Sequence, residues 1–129
     1  MATPIHQEVH FDADPARVYE ALADSRKHAA FTGAPAEISR EAGGPFSTHG
    51  GVISGRVIEL TRNRMIVEAW RVKGWEEGLY SIVRYRIEPK GSGTLLVLDH
   101  DGFPEGERDH LAAGWKSMYW EPLEKFMKA

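Results

Sequence analysis

The sequence contains no cysteine. That excludes disulfides, thiolate nucleophiles and cysteine-based metal centres, and it is compatible with a reducing, cytosolic setting. No basic block occurs and the formal net charge is -3, so the electrostatic footprint of a nucleic-acid binder is missing. No run approaches the ~18 apolar residues that would span a bilayer. The opening MATPIHQEVHF lacks the basic region and apolar core of a secretory signal. Internal repeats and low-complexity stretches are absent as well. The expectation is one cytoplasmic globular domain over residues 1–129, with 42% hydrophobic residues to build a single core.

Catalytic motifs are equally scarce. No His-x-x-x-His or His-Glu-x-x-His spacing supports a zinc site. Gly-x-Ser-x-Gly is missing, so Ser54, Ser81 and Ser117 have no nucleophile-elbow context. GGPFSTHGG lacks the Gly-Lys-Ser/Thr ending of a phosphate-binding loop, and its glycines read as turn and bulge residues. The expectation is therefore no metal, no cofactor and no assignable catalytic residue.

What is present is periodicity. In residues 5–11, Ile5, Gln7, Val9 and Phe11 alternate with His6, Glu8 and His10, the pattern of a half-buried strand. Asp14-Pro15 then opens a helix carrying Val18, Ala21 and Leu22 at helical spacing. Asp24-Ser25 gives a fresh cap, and a second short helix runs to about Phe31. Residues 32–51 hold seven glycines and prolines, which predicts short strands joined by tight turns. Two hairpins follow, 52–60 with 65–72 and 79–88 with 94–101, and loops this short force antiparallel pairing.

The last segment, about 105–127, is helical. Placed at about 100° per residue, Leu111, Trp115, Met118, Tyr119, Pro122 and Phe126 share one side, and Trp120 falls off that stripe beside Met127. Pro122 is expected to kink or disrupt a turn. Only this helix has a stripe long enough to cover the strands. The predicted architecture is α+β: a curved antiparallel sheet wrapped around a long C-terminal helix, with two short helices after the first strand. A sheet gripping a helix leaves room for a cavity between them.

Several stretches together carry a family resemblance: FDADPARVYEAL, FTGAPAEI, GGPFSTHGGVISG, IVEAWRVKGWEEGLYSIV and HDGFPEGERDHLAAGWKSMYWEPL. The sequence resembles the activator of heat-shock-protein-90 ATPase homologue family, within the START-like, or SRPBCC, helix-grip superfamily. The resemblance covers nearly the whole chain, and its most distinctive pieces are Trp70-Arg71, Trp75 with Glu77-Gly78 and Tyr80-Ser81, and Gly114-Trp115. It implies a helix-grip fold. It also implies two candidate functions, binding of small hydrophobic molecules and stimulation of a heat-shock-type ATPase chaperone. The family's eukaryotic co-chaperones carry a separate N-terminal domain, and the expectation here is that this half is absent.

Three functions follow, in order. The first is a binding module whose cavity takes a small hydrophobic or amphipathic molecule. Trp70, Val83, Tyr85, Leu98, Trp115, Met118 and Tyr119 would line it, with Glu68 and His100 as polar groups. The second is a co-chaperone-like interaction module, with Trp75 or its loop at the contact. The third is an enzyme using Glu68, Tyr85 or His100 as acid or base; no constellation rises above single polar residues, so it ranks last. Trp75 reads as a lid, a partner contact or a ring folded back on the sheet. Trp120 reads as packing against the N-terminal helices or as the seat of a homodimer. Arg84 and Arg86 read as a solvated face, and His100 and His110 as neighbours at the helix entrance.

Overall fold

The computed structural model describes residues 3–128. The chain runs β1 (Ile5–Phe11), α1 (Pro15–Ala23), α2 (Ser25–Thr32), β2 (Glu37–Ile38), β3 (Pro45–Thr48), a 3-10 turn (His49–Gly51), β4 (Ile53–Thr61), β5 (Met65–Val72), β6 (Ser81–Lys90), β7 (Gly93–Asp101) and α3 (Arg108–Trp115). A π-helical turn (Lys116–Trp120) then leads into α4 (Glu121–Lys128). All seven strands form one antiparallel sheet in the order β1-β7-β6-β5-β4-β3-β2. The expected helix grip is what forms: a curved antiparallel sheet, two short helices after its first strand, and a long helix over 108–128.

Alternation decides which side of each strand meets the helix. Ile66, Glu68 and Trp70 of β5 are buried, as are Ser81, Val83, Tyr85 and Ile87 of β6. Arg84 of β6 points to water and pairs with Asp99 at 3.0 Å, on the solvated face expected for it. The Asp24 carboxylate caps α2 by accepting from the Lys27 backbone N–H at 3.0 Å. Asp14 departs from expectation: its side chain makes no cap bond, and its backbone carbonyl starts α1 instead.

Alternation breaks in β7, where Leu96, Val97 and Leu98 are all buried, and in β4. A register shift between Val57 and Glu59 inserts Ile58 as an extra residue, which leaves it 47% exposed. Earlier in the same strand, Gly55 faces Phe46 on one side and Trp70 on the other. A Cβ there would collide with the Ala69 carbonyl and crowd the Phe46 ring. Gly55→Ala is expected to lower stability by about 1–3 kcal/mol, read as a reduced urea midpoint at unchanged slope.

The C-terminal helix departs most from a regular wheel. The Glu121 N–H bonds the Lys116 carbonyl, five residues back. Pro122 explains it, because it has no N–H to offer the Met118 carbonyl and its ring would strike that carbonyl in an α-helix. The π turn absorbs one extra residue, so everything after it is rotated by about 100°. The stripe therefore moves. Trp120 is buried rather than off-face, and stacks on Trp115 at 5.6 Å and 17°. Leu123 and Met127 are buried, whereas Phe126 is only partly so. Met118 corrects its inward assignment: it is 50% exposed. Burial also removes Trp120 from any surface on which it could seat a second copy; its Nε1–H donates to Gln7 Oε1 at 2.7 Å.

Candidate functional site

Between the helix and the concave sheet lies a cavity of about 420 Å³, in the size range of small-molecule sites. Trp70 and Val72 of β5 form one wall, and Leu111, Trp115, Met118 and Tyr119 from the helix form another. His49, Val52 and Ile53 close a third side, with Ala34, His110 and Gly114 at the remaining edges. The wall is almost wholly apolar and aromatic. Gly114 is informative because it sits inside α3, where glycine costs about 0.5–1 kcal/mol relative to alanine. An added Cβ there would meet no atom within 4 Å. Packing and backbone conformation do not demand the glycine, which leaves open space at the cavity edge.

The structure brings Trp70, Trp115, Met118 and Tyr119 together around this cavity, as four of the nine sequence candidates. Val83, Tyr85, Leu98, Glu68 and His100 lie in the packed core beneath it and do not border it. The reason is volume. Trp70 and Trp115 meet at 5.7 Å and Tyr85 meets Trp115 at 5.8 Å, so the two indoles roof over the sheet centre and the void opens only beyond them.

His100 belongs to that floor. Trp115 Nε1–H donates to His100 Nδ1 at 3.1 Å, the Ser81 hydroxyl lies 2.8 Å from His100 Nε2, and Ser81 itself donates to the Trp70 carbonyl at 2.8 Å. Only one proton arrangement satisfies all three bonds. Nδ1 must accept, so Nε2 carries the hydrogen and gives it to Ser81. Both nitrogens are thus consumed within the core, and burial lowers the His100 pKa to about 3. His110, expected as its neighbour, stands exposed at the cavity edge instead.

Glu68 is the costliest group in the interior. It is 5% exposed, and burial alone raises its pKa to about 8. No hydrogen bond or ion pair to it forms among the described residues. At neutral pH it is a neutral acid facing Tyr85 and Tyr119, whose phenols are pushed up first by burial and then by Glu68.

A second polar group gathers at the far side of Tyr119, which sequence reasoning missed. The rings of His28 and His49 each lie 5.4 Å from Tyr119 and 6.3 Å from each other. Burial lowers the pKa of both histidines, His28 to about 4. His28 Nδ1, both His49 nitrogens and Thr48 Oγ1 are buried without a hydrogen-bond partner. The Tyr119 phenol lies close enough to Thr48 to feel its hydroxyl, but the geometry does not close a bond. Residues 48–51 lie in the glycine-rich stretch, which has no period to read; Thr-His between two glycine pairs was its one signal.

Trp75 resolves to one of its three readings. Its ring folds back on the sheet, 5.9 Å from Trp70, and its indole N–H is buried without a partner. Tyr80 takes the exposed position nearby, with the Arg71 guanidinium 5.6 Å above its ring. No helix among the described residues is long and apolar enough to cross a membrane.

The family described as Activator of Hsp90 ATPase homolog 1-like protein matches residues 12–128. The human activator of 90 kDa heat shock protein ATPase homolog 1 is 30% identical over 115 residues, which are 89% of this chain and 34% of that protein. The mouse homolog 2 is 28% identical over 124 residues, 96% of this chain and 38% of that one. The chain thus spans about a third of the length of the curated relatives it matches. Among solved structures, an HSP90 activator from Plasmodium falciparum superposes with a TM-score of 0.93 at 25% identity, covering 98% of this chain and 97% of that one.

Proposed function

This chain belongs to the Activator of Hsp90 ATPase homolog 1-like protein family, and within it we propose that the domain is a binding module for a small hydrophobic or amphipathic molecule. The observation that carries the reading is the aromatic cavity beside Gly114. A helix-interior glycine with open space over it forgoes about 0.5–1 kcal/mol of stability. A ligand that needs that space gives the sacrifice a reason.

The same glycine supplies the test. Gly114→Ala is expected to raise stability by about 0.5–1 kcal/mol. Gly114→Leu fills the space and is expected to fold normally while losing at least ten-fold in affinity. Native mass spectrometry of the purified protein, followed by denaturing extraction, looks for a resident molecule. Added naphthalene looks for a rise in melting temperature, which any native-state binder produces. Bare protein mass together with no thermal response to naphthalene overturns the reading.

A second reading has its own support in the match to the Plasmodium HSP90 activator structure, which covers 97% of that chain. In it the domain docks on an Hsp90-type chaperone and stimulates its ATPase. Mixing the purified domain with such a chaperone is expected to raise ATP turnover. An unchanged rate, with no complex on gel filtration, removes this reading and leaves the binding module untouched.

A further inference from the structure

The corner formed by Thr48, His49 and His28 is polar, and it meets the cavity through half-buried His49, with Thr48 and His28 buried behind it. His49 and Tyr119 both line the void, and His28 packs against each of them. Thr48 stands at the N-cap of the 3-10 turn, where a threonine hydroxyl ordinarily caps, yet it makes no cap bond. It is 2% exposed and its oxygen has no partner. Each such group gives up its hydration without return when left unmatched, and three neighbouring residues carry them. His49 also sits at φ 52, a left-handed conformation uncommon outside glycine, followed by Gly50 at 66 and Gly51 at 96. Backbone strain and orphaned polar atoms in one place are the marks of a site shaped for something other than its own stability.

The chemistry of the corner selects its ligand. A neutral imidazole offers one donor and one acceptor, and a hydroxyl offers both. Among the described residues no lysine or arginine borders the cavity to balance an anion, and the buried Glu68 is near enough to Tyr119 to raise its pKa. A charged group would lose its hydration without compensation. A hydroxyl, which donates and accepts without charge, matches the set.

We propose that Thr48, His49 and His28 form the headgroup subsite of the cavity, and that the ligand is an uncharged hydroxylated aromatic whose rings lie against Trp70 and Trp115. This rests on the binding-module reading and specifies which end of the molecule goes where. His49 presents two ring nitrogens without partners to the entering hydroxyl, and a shift of its ring would open the way to Thr48, which neighbours the Tyr119 phenol.

Equilibrium dialysis of the full chain near pH 6.5 against naphthalene, 2-naphthol and 2-naphthoate tests it. Naphthol is expected to bind about ten-fold tighter than naphthalene, the worth of one good hydrogen bond, and naphthoate weaker than both. Thr48→Val keeps the shape and removes the hydroxyl. It is expected to melt higher than wild type, since it deletes an unmatched buried group, and to lose most of the preference for naphthol with naphthalene affinity unchanged. His49→Asn, which tolerates the left-handed backbone, is expected to keep part of the preference. Equal binding of naphthol and naphthalene overturns the subsite and leaves the cavity standing. Tighter binding of naphthoate overturns the uncharged class. Binding of none of the three overturns both the subsite and the binding module.

Discussion

Trp115→Ala is expected to remove a large share of the domain's stability. Trp115 is 3% exposed and touches Trp70, Tyr85, His100, Tyr119 and Trp120, with ring centroids 4.7 to 5.8 Å away. Truncating a buried tryptophan costs about 3–5 kcal/mol in transfer and cavity terms. Here the His100 Nδ1 acceptor is orphaned as well, which adds about 1–3 kcal/mol. Domains of this size have only about 5–15 kcal/mol in total. Trp115→Phe separates the two terms: it keeps an aromatic ring and loses the N–H. An intermediate loss of about 2 kcal/mol, read from the urea midpoint, is the expected result. Equal stability of Trp115→Phe and wild type would mean that the Trp115–His100–Ser81 chain contributes nothing.

The second large effect is in the response to pH. Glu68 has a folded pKa of about 8 against an unfolded value of 4.5. Its contribution is fully present below pH 4.5 and is lost as pH rises through 8. That interval is worth on the order of 5 kcal/mol as a ceiling. The histidines act in the opposite direction. His100 and His28 have folded values of about 3 and about 4 against 6.5 unfolded, so their contributions are present above pH 6.5 and lost as pH falls. Between pH 4.5 and 6.5 the unfolded chain holds two histidine protons and the folded chain holds one, on Glu68, so stability climbs with pH. Between 6.5 and 8 only the folded chain holds a proton, so stability falls. Melting temperature should therefore peak near pH 6.5. Glu68→Gln should abolish the decline above it while keeping the loss at acid pH. A wild-type melting temperature that does not drop between pH 6.5 and 8 contradicts the assignment of Glu68 as a neutral buried acid.

The sequence carried the strands well because each buries one face, and a period of two survives in single residues: Ile66, Glu68 and Trp70 on β5, or Ser81, Val83 and Tyr85 on β6. It carried the helix through Trp115 and, past it, placed only Tyr119 correctly. Beyond that point the phase depends on how the backbone relieves Pro122, and hydrophobic spacing is silent on whether the answer is a kink or a π turn. Met118 and Trp120 changed places for that reason. The site was half legible on the same grounds. Trp70, Trp115, Met118 and Tyr119 stand in periodic elements, whereas Thr48 and His49 occupy an aperiodic turn whose geometry comes from glycines. The floor residues Tyr85, Leu98 and His100 share a sheet face with Trp70, and alternation cannot tell a wall from what the wall covers.

The position of β1 has a consequence for how the chain is born. Ile5 pairs with His100 and Phe11 with Thr94, so β1 leaves the ribosome ahead of every strand that separates it in sequence from its partner. At about 5–20 residues per second it waits roughly 5–20 s. Meanwhile the local hairpin β4–β5 can close and β6 can add to it. A strand left alone that long invites pairing with another nascent chain. β1 carries His6, Glu8 and His10 along its solvent side, and polar, charged side chains on a lone strand disfavour such pairing.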